Sequence, residues 1–297
     1  MFKKQKATRF VRSGSRAPAG KTPTTAKTTA AKKAAAMKPA AKFAAKSAAK
    51  SAAKSPAKSA AKSVAKPRAA SAREARTHDV AVWDIDVHSG FVNRVLDAIN
   101  RKQKLFRFVR IEATVPMGLT MSGRRTREII QKLDPKTAED PQLENSVWAE
   151  DIYPVARPIL KSTGTDLLVC LLAPLIADRV TNPPFDRDGV EIDFFSVSSK
   201  RIILVSAYEL RGYAAKAGRS FEACLALLIV AQVLAEYFDL EEHDDTRGCI
   251  MDYCDDRKDI VVLLKKMEIC PHSLEELPDY ARASVVKMIQ AIREYTP

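Results

Sequence analysis

The charge of this chain is divided so unevenly that one hydrophobic core cannot run through all of it. Residues 1–77 hold 15 Lys and 6 Arg against a single acid, Glu74, for a formal +20; residues 78–297 hold 28 basic and 35 acidic residues, for −7. The first segment is otherwise mostly Ala and Ser, with almost nothing apolar enough to offset the entropy of ordering. Alone it is expected to be disordered. The 220 residues behind it are enough to bury a core. The expected organisation is a disordered basic tail over 1–77 and a folded domain over 78–297.

In the tail, lysines recur at every fourth residue: Lys42, Lys46, Lys50, Lys54, Lys58, Lys62 and Lys66. Alanine favours helix and this period puts lysines on neighbouring turns, so repulsion opposes helix in water and phosphates would relieve it. With Ser55-Pro56-Ala57-Lys58 and Ala65-Lys66-Pro67, the composition resembles the C-terminal tail of histone H1 and the Lys/Ala/Pro-rich tails of bacterial H1-like proteins. The resemblance implies sequence-nonspecific nucleic-acid binding through the phosphate backbone, steeply salt-dependent. The plainer alternative is a solubilising tail without a specific partner.

No secretory signal is expected from the basic start, Met1-Phe2-Lys3-Lys4, because no apolar stretch follows it. No membrane span is expected either. Five cysteines, Cys170, Cys224, Cys249, Cys254 and Cys270, are an odd number and point to a reducing compartment. The location expected is cytoplasmic and nucleoid-associated, or nuclear in a eukaryote.

Hydrophobic periodicity in the body predicts strands over 80–87, 105–115, 167–172, 194–199 and 201–207 and helices over 91–100 and 126–133. A loop is expected at 134–145, a short helix broken by Pro154 and Pro158 within 147–160, and an irregular loop at 181–190. Residues 221–238 read as a helix too apolar for a surface, hence central and buried. Together these give an α+β fold with a mixed sheet.

The most informative stretch starts in that helix and runs Val233-Leu234 through Tyr237, Leu240 and His243 to Cys249 and Met251. It resembles the archaemetzincin family of zinc peptidases, in which His-Glu-x-x-His-x-x-Gly-x-x-His-Cys is followed by four residues, Cys-x-Met, and later Cys-x-x-Cys. The likeness covers about 166–273 and implies a zincin/metzincin-like fold. His243 falls on the third zinc histidine, Cys249 and Met251 on the Cys-x-Met turn, and Cys270 within one residue of the later cysteine. The other positions depart: Val233 and Tyr237 stand for the first two histidines, Leu234 for the general-base glutamate, Leu240 for glycine, Asp244 and Ser273 for cysteines. Valine and leucine offer zinc and its water neither a ligand nor a base, so a metzincin-like body would be an inactive peptidase.

A cysteine-rich structural zinc is the other site the resemblance implies. Cys249, Cys254, Cys270 and His272 supply four soft or borderline ligands, the number tetrahedral zinc takes. His243 is a further candidate, although its neighbours Glu241, Glu242, Asp244 and Asp245 fit a surface or capping histidine equally. Buried free thiols are the alternative for the cysteines. Asp84, Asp86 and His88 could form a small site or simply a polar strand end. The segment 118–125, Gly-containing and basic, lacks the Lys-Ser/Thr of a phosphate loop.

These readings combine into a non-catalytic, pseudo-peptidase-like binding domain tethered to DNA or RNA by its tail, with no catalytic residues and with a peptide or protein as the body's partner. Two alternatives stand beside it. One is an active metal-dependent hydrolase with a non-standard site. The other is a nucleoid-compacting H1-like protein whose body only oligomerises.

Overall fold

The computed structural model describes residues 76–88, 90–116, 119, 123–182, 187–243, 245–254 and 256–297. The seven tail lysines and the expected tail disorder lie outside the described residues, as do residues 118 and 120–122 of the 118–125 segment and Asp244.

The body begins with β1 (His78–Asp84), α1 (Val92–Lys102) and β2 (Phe106–Ile111), continues with α2 (Gly123–Leu133), β3 (Ser146–Trp148) and α3 (Ala149–Thr163), and then runs through β4 (Leu167–Leu172), β5 (Leu175–Asn182), β6 (Arg187–Phe194), β7 (Ser196–Ser199) and β8 (Ile202–Ser206). It finishes with α4 (Leu210–Ala217), α5 (Phe221–Phe238), α6 (Ile260–Lys266), α7 (Pro271–Glu276) and α8 (Asp279–Arg293). Five strands form one sheet in the order β2-β1-β4-β8-β7, with β7 antiparallel to β8 and the other pairs parallel. A smaller sheet has the order β3-β5-β6, β5 and β6 being antiparallel. The fold is α+β with mixed sheets.

Both faces of the large sheet are covered at its centre, which is why β4 and β8 read as continuous apolar runs. In β1 and β4, Val80, Val82, Leu167, Val169 and Leu171 face a core shared with α1, α4, α5, α6 and α8. Their neighbours Ala81, Trp83, Leu168, Cys170 and Leu172 face a second core against α3, Ile176 and Phe194. Helix α5 lies in the first core, capped by Ser220, whose hydroxyl accepts from the Ala223 amide at 3.2 Å. Its 18 residues, with mean hydropathy 1.8, are long and apolar enough to cross a membrane by length and composition, contrary to the sequence expectation; in this fold the helix is mostly buried within the protein.

Two other expectations are corrected. Helix α3 is not broken but runs 15 residues through Pro154 and Pro158. Both prolines lie on its exposed side, so the carbonyls that lose an amide partner, those of Glu150 and Pro154, are lost on the side nearest water. The loop expected over 181–190 is instead the outer part of the β5–β6 hairpin, paired out to Asn182↔Arg187. Pro183 and Pro184 lie outside the described residues, and the alternation of Val190, Ile192 and Phe194 follows them in the sequence.

Candidate metal centre

Three separated segments are laced together beyond α5. The His243 amide donates to the Met251 carbonyl at 2.9 Å and the Tyr253 amide to the His243 carbonyl at 2.8 Å; the Ile250 amide donates to Glu268 at 2.8 Å. Gly248 allows the turn between them: its φ of +91° is open to glycine, and an added Cβ would collide with the Lys266 side chain.

Asp252 organises this region. Its fully buried carboxylate accepts from the amides of Arg247 at 2.6 Å and Cys249 at 2.9 Å, and from the amide of Gly248. Its other oxygen lies 3.2 Å from Nδ1 of His243. A carboxylate at Nδ1 holds the hydrogen there and leaves the Nε2 lone pair to face the other way, the arrangement common behind metal-binding histidines.

The Nε2 side meets sulfur. Cys270 Sγ is 3.6 Å from His243 Nε2 and Ser273 Oγ is 2.9 Å from it; Ser273 Oγ is in turn 3.4 Å from Cys270 Sγ and 3.8 Å from Cys249 Sγ. Ligand atoms of His243, Cys249 and Cys270 all lie within 4.8 Å of one another. Backbone amides already point at both sulfurs: Met251 and Cys270 donate to Cys249 Sγ at 3.4 and 3.3 Å, and Ser273 donates to Cys270 Sγ, which caps α7, at 3.4 Å. Burial pushes the Cys249 thiol up to about 11 despite these amides. At Cys270 burial is the largest single influence and raises the thiol, but hydrogen bonds with the Ser273 hydroxyl and amide, Cys249 and the His272 backbone together bring it below the usual value. The donor set is two thiols and an oriented imidazole, ligand types that zinc takes, with the Ser273 hydroxyl beside them.

Of the metal-ligand candidates in the sequence, the structure thus brings together His243, Cys249 and Cys270 and leaves out two. Cys254 is fully buried in the core beside α5, with Sγ 3.9 Å from the Asp252 carbonyl. His272 sits next to the cluster, its ring 6.0 Å from that of His243, but points outward and pairs with Glu276 at 3.2 Å. On α7, consecutive residues cannot both face one point, so Ser273 rather than His272 turns inward. The role of Asp252 behind His243 was not legible, since an acid nine residues after a histidine has no local period.

The positions resembling a catalytic motif face other tasks. Val233 and Leu234 are fully buried in the α5 core. The Tyr237 hydroxyl is 2.8 Å from Nε2 of His78, whose ring lies 4.5 Å away. At the other end of β1, Asp84 accepts from the amides of Val87 and His88, and Asp86 from Ala173 at 2.6 Å. Burial pushes the Asp86 carboxyl up, with the Ala173 amide opposing. The amides these acids hold, those of Val87 and Ala173, belong to residues that with Phe221 help line a cavity of about 290 Å³.

No protein-family model matches the chain, and no curated protein sequence does. Among solved structures the fold is similar to the archaemetzincin of Archaeoglobus fulgidus, crystallised with malonate, at 10% identity and a TM-score of 0.43, over 67% of this chain and 99% of that one. It is also similar to the archaemetzincin of Methanopyrus kandleri, at 11% identity and a TM-score of 0.40, over 75% and 98%. A third similar structure is a zinc-dependent peptidase from Methanocorpusculum labreanum, at 16% identity and 0.36, over 67% and 100%.

Proposed function

We propose that this chain is a non-catalytic binding protein, a metzincin-like body held by one structural zinc and joined to nucleic acid by its basic N-terminal segment. The observation that carries the reading is the direction of His243. Asp252 fixes its Nδ1 side, and Nε2 faces Cys249, Cys270 and Ser273 rather than α5. On α5, the residues where a peptidase would place two histidines and a glutamate are Val233, Leu234 and Tyr237, two of them in the core and the third bonded to His78. The one motif histidine that remains therefore serves the cysteine site. A zinc ion there would cross-link the segments at 243, 249 and 270 and contribute folding free energy instead of activating water.

Elemental analysis of the full chain, freed of nucleic acid by nuclease, tests this. About one zinc per chain is expected. Cys249→Ser and Cys270→Ser should each lose it together with thermal stability, and no peptide should be cleaved. Zinc-free protein whose melting ignores chelators would sink the zinc part of the reading. Peptide hydrolysis abolished by His243→Ala would instead establish a hydrolase with a non-standard site.

A further inference from the structure

We infer that the edge of the large sheet where its four parallel strands begin is a second phosphate-binding surface, continuous with the root of the basic segment and contacting the same nucleic acid. The inference rests on the nucleic-acid reading above and adds the folded body to it.

Backbone bonds string this edge together: the His78 amide donates to Leu105, Asp166 to Asp79, and Leu168 to Arg201. The residues just ahead of the strands are Lys104 before β2, Arg76 before β1, and Lys200 and Arg201 before β8; Lys102 ends α1 beside them. In the sequence, Arg76 stands at the end of the basic segment. Neighbouring strands lie about 4.8 Å apart, so four of them set these cations over roughly 15 Å, a length that meets several phosphates of a duplex. The acids on the edge are engaged: Asp79 with Arg107 at 2.6 Å, Asp166 shared by Arg76 at 3.5 Å, His78 at 3.7 Å and Arg201 at 4.0 Å, and Glu236, which accepts from the Ser198 hydroxyl at 2.6 Å and the Arg201 amide at 2.9 Å. Lys102, Lys104 and Lys200 are exposed, and their side chains have no hydrogen bond or ion pair among the described residues.

The turn between β7 and β8 is the independent sign. It is a two-residue hairpin turn, Ser199 pairing with Ile202, and both its residues are left-handed, Lys200 at φ +52° and Arg201 at φ +72°. Such a turn favours Asn-Gly, since a Cβ is strained in that conformation. Arg201 answers the strain locally, its Nη2 donating to the Thr165 carbonyl at 2.9 Å. The Lys200 side chain has no such partner among the described residues. Strained residues of this kind gather where a side chain is needed for binding.

The test measures binding of the full chain to a random-sequence duplex over a range of salt. Replacing Lys102→Gln, Lys104→Gln and Lys200→Asn together should flatten the log–log slope by about 3 with the tail intact. Lys200→Asn alone should melt no lower than the parent, since Asn suits the turn, so lost binding is not lost folding. A second full-length variant carries Gln at Lys42, Lys46, Lys50, Lys54, Lys58, Lys62 and Lys66. If it flattens the slope while the three rim changes do not, the inference fails and the tail reading stands. If the tail changes leave binding untouched, the tail reading fails instead. Rim-dependent binding to phosphatidylserine vesicles without binding to the duplex would overturn the inference in favour of a lipid surface.

Discussion

Tyr153 and Asp178 show how far single residues in this body depart from comfortable burial. The Tyr153 hydroxyl is buried and meets no hydrogen-bonding partner among the described residues, and burial pushes its pKa well up. An unsatisfied buried hydroxyl costs about 1–3 kcal/mol, so Tyr153→Phe should raise the melting temperature by a few degrees in calorimetry. Asp178, on β5, is pushed up to about 6 by burial, with Glu150 adding to the rise and the Arg179 amide opposing it. Its folded pKa lies above the ordinary 3.8, so the folded chain holds this proton longer than the unfolded one. That contribution to stability is complete below pH 3.8 and is lost as pH climbs to about 6. Asp178→Asn should therefore melt like the parent near pH 4 and exceed it by on the order of 2–3 kcal/mol above pH 6. A pH-independent difference would show that the carboxylate is not the cause.

At the scale of elements, what could be read from the sequence was what repeats locally. The strands at β1, β4 and β8 and the buried helix α5 follow from apolar runs of the right length, and the structure has them. The small sheet was not legible, because β3 has only three residues and the β5–β6 hairpin hides behind two prolines. The candidate metal site was half legible: His243, Cys249 and Cys270 came from the resemblance to archaemetzincins, whereas Ser273 and Asp252 owe their places beside them to α7 and to a turn that no period announces. Helix α3 shows the opposite failure, local rules overridden by packing. Ala149, Ile152, Tyr153 and Ala156 anchor its inner side firmly enough to carry Pro154 and Pro158. Pro154→Ala should return the hydrogen bond to Glu150 and raise stability by about 1–2 kcal/mol after the unfolded chain's gain in freedom is subtracted. Unchanged denaturant midpoints would mean that the Glu150 carbonyl is already well served by water.

For the whole molecule, the large charge of the first 77 residues and the apolar interior of the rest make separate demands, and the second has a bearing on how the protein is made. Helix α5 is sheathed by α1 and α4, which precede it in the chain, and by α8, which begins some forty residues after it ends. A ribosome therefore releases an 18-residue apolar helix well before Val285, Met288 and Ile292 exist to cover it. During that interval the nascent chain displays a segment that the machinery sorting proteins into membranes reads by the same criteria, length and hydrophobicity. Correct biogenesis becomes a race between completing α8 and being captured by a translocon or by another unfinished copy. Shortening the chain before α8 would leave that race without a finish.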